Sequence, residues 1–239
     1  MASLHIGPFL RKHGWDIRSL GFTKLTHRVL EHDLPLIVEE AEPLIFDVGA
    51  NEGQTIEAMR KLFPRCSIRA FEPASELVGA LRKRYHAPEV IVENVALGAA
   101  QEERSFQHYE NSALSSFLSL TKNDTNPFAG VGLQAAENVR IDTVDDYCAT
   151  HGIERIHLLK IDTQGFDLNV LKGAARMFAV DAIGCVLVEI NFIPLYEGQC
   201  RPGELIDWLG ALRFVPVAFY EQVIKKNGLV WATACFVKH

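Results

Sequence analysis

Apolar and polar positions alternate in a way that divides most of the chain into strands and helices. A short apolar run at 44–46 follows Pro43 and ends on Asp47; so uniform a run reads as a strand covered on both faces. Gly49 and Gly53 follow, then a helical pattern at 55–63 closed by Pro64. Positions 67–71 predict a second strand that ends in Glu72-Pro73, before a helix capped by Ser75 and reaching about position 85. A third strand spans 90–95. A short one at 139–141 precedes a helix capped by Asp142 or Thr143 and reaching position 150. The fourth parallel strand, 156–161, runs into Asp162-Thr163-Gln164-Gly165. Phe166, Val170, Leu171, Ala174 and Phe178 then have the spacing of one buried helix face. A fifth strand covers 184–190, and Pro202 opens a helix with Leu205, Trp208, Leu209 and Leu212 inward. Strands at 214–220 and 229–237, joined by Lys225-Lys226-Asn227-Gly228, close the chain as an antiparallel pair.

Strand, glycine turn and helix in repetition predict an open α/β sheet, whose ligands bind at the carboxyl ends of the strands. Residues 43–239 form this domain and 1–42 an N-terminal helical extension, with a helix expected over 18–32 from Leu20, Leu25, Val29 and Leu30. Positions 105–120 read as a hairpin-like excursion. Positions 123–132, rich in Asn, Gly and Pro, read as a loop of the kind that serves as a lid or acceptor-binding element.

Composition narrows the class. The chain has 239 residues, 48% of them hydrophobic, enough for one large core. A net charge of -6 without a basic run does not indicate a nucleic-acid partner. Five cysteines without metal or redox spacing suit reduced core thiols and a cytoplasmic location. Charged residues interrupt the first segment, so neither a secretory leader nor a membrane anchor is expected.

The chemistry gathers at strand ends. In the first turn, Asn51 stands where a nicotinamide fingerprint has its second glycine, the residue that admits a pyrophosphate. An acid before the turn and an amide inside it suit a ligand without phosphates and with a positive charge, a description S-adenosylmethionine fits. Glu72, about twenty residues on, is placed to accept hydrogen bonds from ribose hydroxyls. Asn94 and Ala96 lie where an adenine ring can be read. Asp47, Asp162 and Glu189 converge on one rim, where a purely structural sheet needs no carboxylates. Asp162 is the first candidate base, and a candidate cofactor ligand as well, and Glu189 is the second base, with His108 and His157 more remote. Tyr196 and Gln199, after the fifth strand, are candidates for hydrogen-bonding a polyol or for packing their loop. No tight ligand cluster supports a metal site.

Taken together these motifs resemble the FkbM family of S-adenosylmethionine-dependent methyltransferases. The resemblance rests on Asp47-Val48-Gly49-Ala50-Asn51-Glu52-Gly53, Phe71-Glu72-Pro73 and Asn94-Val95-Ala96-Leu97-Gly98. It continues through Leu159-Lys160-Ile161-Asp162-Thr163-Gln164-Gly165, Val170-Leu171-Lys172-Gly173-Ala174, and Val188-Glu189-Ile190 with Leu195-Tyr196-Glu197-Gly198-Gln199. It implies a class I methyltransferase (Rossmann-like) fold: a seven-stranded, mostly parallel sheet with helices on both faces and the last strand antiparallel. It also implies that Asp47, Gly49, Asn51 and Gly53 hold the methionine part of the cofactor, Glu72 the ribose, and Asn94 to Ala96 the adenine. The expected activity is O-methylation of a small-molecule hydroxyl on a sugar, glycan or polyketide, with a homodimer as the assembly considered. Two other readings stay open. Another Rossmann-type enzyme, such as an NAD-linked oxidoreductase, is opposed by Asn51; a non-catalytic cofactor-fold protein is opposed by the intact acidic rim.

Overall fold

The computed structural model describes residues 29–225 and 228–239, with the backbone of Arg18–Ser19 and Phe22–Thr23. Its elements run α1 (Leu30–Val38), β1 (Leu44–Val48), α2 (Gln54–Leu62), β2 (Ser67–Phe71), α3 (Ser75–Arg84) and β3 (Val90–Glu93). Then come β4 (Ala96–Leu97), β5 (Glu102–Tyr109), β6 (Leu133–Asp142), α4 (Val144–His151) and β7 (Ile156–Ile161). The chain ends with α5 (Asp167–Lys172), α6 (Ala175–Ala179), β8 (Ile183–Asn191), α7 (Pro202–Ala211), β9 (Phe214–Lys225) and β10 (Gly228–Lys238).

Seven strands form one sheet in the order β9-β10-β8-β7-β1-β2-β3. β10 is antiparallel to both its neighbours, and the pairs from β8 to β3 are parallel. This is the class I methyltransferase sheet. Successive residues of β1 face opposite layers: Ile45 packs beneath α1, α2 and α3 with Leu34, Ile56 and Leu81, while Phe46 and Val48 pack beneath α4 to α7 with Tyr147, Val170 and Leu205. The order of connection reverses between β1 and β7, which opens a crevice at their carboxyl ends.

A second sheet, β4-β6-β5, stands over that crevice. Here the fold departs from the sequence pattern. The third strand stops at Glu93, two residues early, because Ala96 and Leu97 pair with Ile141 and Asp142 of β6 instead. The strand expected at 139–141 extends over ten residues, since Ala135, Ala136 and Glu137, of low strand propensity, pair with His108, Gln107 and Phe106 of β5, while Gln134 sits at a shift in register. The single helix expected over 166–178 is two, α5 and α6. All five expected apolar residues are buried, but a Cβ at Gly173 would lie 1.9 Å from the Gly98 carbonyl oxygen, so the break lets two backbones touch.

Two expected caps resolve differently. The Thr143 hydroxyl accepts from Asp146 N and starts α4 as expected. Ser75 instead opens α3 without capping it, and its hydroxyl bonds Asn94 and Glu137. Much of the helix expected over 18–32 lies outside the described residues. Within them, Arg18–Ser19 pairs with Phe22–Thr23 and the helix begins at Leu30. α1 accommodates Pro35 because Leu34 is fully buried against the sheet and the Tyr220 hydroxyl holds Asp33 at 2.8 Å.

The 123–132 loop is pinned, and it does not line the crevice. Asn123 Oδ1 accepts from Thr125 N and Asn126 N, and the buried Asn126 amide donates to Thr121 O and Leu195 O. Phe128 stacks on Trp231, 5.8 Å between ring centroids. Its turn-forming residues build Asx turns.

Candidate active site

β1 delivers Gly49 and Asn51 to the crevice through a tight turn. Gly49 N and Ala50 N both donate to Phe71 O, tying the turn to β2. Gly49 has φ +83, and a Cβ there would stand 1.9 Å from the Asp162 carbonyl oxygen. The ends of β1 and β7 therefore meet only because this residue is glycine. Asn51 holds φ +45, and its N–H donates to Glu72 Oε2 at 2.8 Å. Glu72 Oε1 accepts from Ala74 N at 2.9 Å. Burial pushes the Glu72 carboxyl up to about 7, against the pull of those two N–H groups.

The residues after β7 form the opposite wall. Gln164 sits at φ +53, and its Nε2 donates to Asp162 Oδ1 at 2.7 Å and to Glu189 Oε1 at 3.1 Å. The Tyr196 hydroxyl lies 2.8 Å from Gln164 Oε1 and 3.1 Å from Leu114 O. One amide thus spans two carboxylates and is itself held from behind. Burial, with Asp162 and Asp167 nearby, pushes Glu189 well above the usual carboxylate range. Asp167 fastens the turn: its Oδ1 accepts from Thr163 N and Oδ2 from Gly165 N, and burial pushes its carboxyl up to about 6.

Together these walls enclose a cavity of about 640 Å³, within the range of roughly 300–1,000 Å³ typical of small-molecule sites. Of the residues expected to bind a cofactor, Gly49, Asn51, Glu72, Ala96 and Asp162 line it. Asp47, Gly53 and Asn94 stand behind it. Asp47 is fully buried and faces Lys160. Gly53 presses on Leu81 and the Tyr85 ring, whose hydroxyl donates to Gly53 O. The Asn94 amide donates to Glu72 O and Pro73 O, shaping the loop that carries Glu72.

Among the residues expected near the acceptor, Asp162 reaches the cavity, and Glu189 is one side chain away, through Gln164. Tyr196 is buried as the support of Gln164. Gln199 spends its amide within its own loop, accepting from Leu195 N and Tyr196 N and donating to Ile193 O. His108 lines the cavity. His157 is at the other end of its strand, where its Nδ1 accepts from Leu44 N. Sequence reasoning passed over Lys160, Gln164 as a bridge, Asp167, and the β6 residues Gln134 to Glu137. A lysine inside a buried strand, in register with an aspartate on the next one, was the available signal for the first.

Comparisons with known proteins give the family and agree with the fold. The model of the Methyltransferase FkbM domain matches residues 47–216, from the acid that ends β1 to the start of β9. The chain belongs to the FkbM methyltransferase family. The family's methyl donor is S-adenosylmethionine. Among curated relatives, the 2-O-methyltransferase NoeI of Sinorhizobium fredii is 23% identical over 213 residues, covering 86% of this chain and 85% of that protein. AMB antimetabolite synthetase AmbE of Pseudomonas aeruginosa is 28% identical over 166 residues, which is 57% of this chain and 8% of that synthetase. Among solved structures, an FkbM methyltransferase from Methylobacillus flagellatus superposes with a TM-score of 0.51 at 14% identity, covering 82% of this chain. This FkbM chain spans 44% of that structure's length, and the likeness is one of fold.

The residues present fit the family's cofactor. The carboxylates of the cavity suit its sulfonium and amino group. The Asn51 amide oxygen, buried and without a partner among the described residues, is a free acceptor in the wall.

Proposed function

We propose that this methyltransferase moves a methyl group from S-adenosylmethionine to a hydroxyl of a small molecule, a sugar or a polyketide-like secondary metabolite. The observation that carries the reading is the charge of the cavity. Among the described residues its lining includes Glu52, Glu72, Glu76, Glu110, Glu137 and Asp162, and no lysine or arginine. A pyrophosphate or phosphate would meet only repulsion there, whereas a cofactor with a net positive charge is favoured. That argues against the NAD-linked alternative and against nucleotide or nucleic-acid acceptors. The likeness to a 2-O-methyltransferase along 86% of the chain supports oxygen as the methylated atom.

Gly49, Asn51, Glu72, Ala96 and Asp162 would hold the cofactor. Glu72, already fixed by Asn51 N and Ala74 N, keeps lone pairs for the ribose hydroxyls. Gln164, held by Asp162, Glu189 and Tyr196, faces the acceptor with its geometry set. The β5–β6 hairpin covers the acceptor side and excludes water. When bound, the cofactor supplies a methyl group already activated by its sulfonium.

Incubation with methyl-labelled S-adenosylmethionine and a panel of methyl glycosides and hydroxylated polyketides tests the reading. Label should appear on an acceptor oxygen. Label on acceptor nitrogen or carbon alone would contradict it.

A further inference from the structure

We infer that His108, oriented by Glu137, is the base that takes the proton of the acceptor hydroxyl; the inference rests on the O-methyltransferase reading above. His108 and Glu137 share one face of the β5–β6 hairpin. Phe106 is the register partner of Glu137 and His108 that of Ala135, so the two side chains are diagonal neighbours over the cavity they both line. His108 Nε2 lies 3.1 Å from Glu137 Oε2. A carboxylate only accepts, so Nε2 carries the hydrogen and Nδ1 of the neutral ring keeps its lone pair. Nδ1 has no hydrogen-bond partner among the described residues. Glu137 is anchored in turn by the Ser75 hydroxyl on Oε1, and the imidazole stands edge-on to Phe106 at 82°. Base, orienting carboxylate and a third anchoring group are thus in place.

Asp162 is less suited to the task. One of its oxygens accepts from Gln164 Nε2 and the other lies 3.9 Å from Lys160 Nζ, so both already face protein groups, whereas Nδ1 of His108 faces none among the described residues. The charged groups that line the cavity with His108 are Glu110 just after its own strand, Glu137 on β6, Glu52 before α2, Glu72 before α3, Glu76 in the first turn of α3, and Asp162 after β7. Arg104, also on β5, lies over the Phe117 and Phe166 rings. Among the described residues no lysine or arginine lines this cavity, so the charge that proton transfer places on the ring meets carboxylates and no cation.

In the step, the acceptor oxygen forms its bond to the methyl carbon while the methyl–sulfur bond breaks and its electron pair returns to sulfur. The hydroxyl proton passes to His108 Nδ1. The imidazolium, a quarter exposed, then releases it to solvent.

Nitrogen NMR of protein labelled in its histidines reads the tautomer without any acceptor, with His108→Gln used to assign the resonance. The hydrogen should reside on Nε2 in the wild type, and Glu137→Gln should reduce that preference. A hydrogen on Nδ1 would overturn the inference. With the acceptor found by label transfer, His108→Gln should lower turnover by about 10²–10⁴-fold at unchanged cofactor affinity. Glu137→Gln should lower turnover at unchanged cofactor affinity, because the ring loses the carboxylate that fixes its tautomer. Wild-type turnover in His108→Gln would remove His108 while leaving the methyltransferase reading intact. Failure of the wild type to bind S-adenosylmethionine in calorimetry would reject that reading itself.

Discussion

Asp47 and Lys160 are register partners on adjacent parallel strands, and Lys160 Nζ lies 3.0 Å from Asp47 Oδ1. The pair sits beneath the crevice, where Nζ also reaches Gly49 O at 3.3 Å and Asp162 Oδ2 at 3.9 Å. One buried ammonium thus links the turns after β1 and β7. Removing it strands a carboxylate that is fully buried. Lys160→Met should destabilise the protein by about 3–5 kcal/mol, the usual cost of breaking a buried pair from one side. Adding Asp47→Asn should recover part of the loss. Urea denaturation of the wild type and both variants measures it, and equal midpoints for all three would show that the pair contributes nothing.

Gly49→Ala should weaken cofactor binding and stability together. The added carbon would collide with the Asp162 carbonyl, and φ +83 is unfavourable for any side chain. Calorimetry and thermal unfolding on the same variant check both, and an unchanged cofactor affinity would mean that the contact between the two strand ends does not shape the site.

Glu72 predicts opposite pH trends for binding and folding. Its carboxyl is raised from 4.5 to about 7 by burial, so the protonated form favours the fold. That contribution is fully present below about 4.5 and is lost as pH rises through about 7. Glu72→Gln, which cannot ionise, should therefore gain in melting temperature relative to the wild type as pH rises across that window. Cofactor affinity of the wild type should rise over the same window, since the ionised carboxylate is the better acceptor for ribose hydroxyls. A melting-temperature difference independent of pH would contradict the assignment.

With His108 as the base, Asp162 is left the role of positioning. Asp162→Asn should lower cofactor affinity, by about tenfold or more for a charge-assisted contact of roughly 1.5–3 kcal/mol, and leave turnover at saturation near the wild-type value. A fall of about 10²–10⁴-fold in turnover at unchanged affinity would instead make Asp162 the base.

The sheet was legible because its signals are local. Apolar runs ending on Asp47, Glu72 and Asp162 mark strand ends, and Pro43, Pro64, Pro73 and Pro202 mark boundaries between elements. Half of the site was legible for the same reason, since Gly49, Asn51 and Asp162 directly follow their strands. The other half depends on pairings between distant segments. Nothing near Ala135 shows that β6 pairs with β5, and so nothing shows that Glu137 comes within reach of His108. The roles of Tyr196 and Asn94 depend likewise on which of their neighbours fold inward, and both hold cavity-lining residues in place from outside the cavity. The Asn-rich loop was legible as a run of turns but its place was not, because Leu195 O and Trp231, which it packs against away from the cavity, come from elsewhere in the chain.

On the proposed function, the acidic cavity at the ends of β1 and β7 takes S-adenosylmethionine as methyl donor. Isothermal titration of the wild-type protein with S-adenosylmethionine and, separately, with NAD tests it most directly. Saturable binding of S-adenosylmethionine at one site, weakened by Asp162→Asn, with no heat from NAD, is the predicted result. Saturable binding of NAD with none of S-adenosylmethionine would contradict the account.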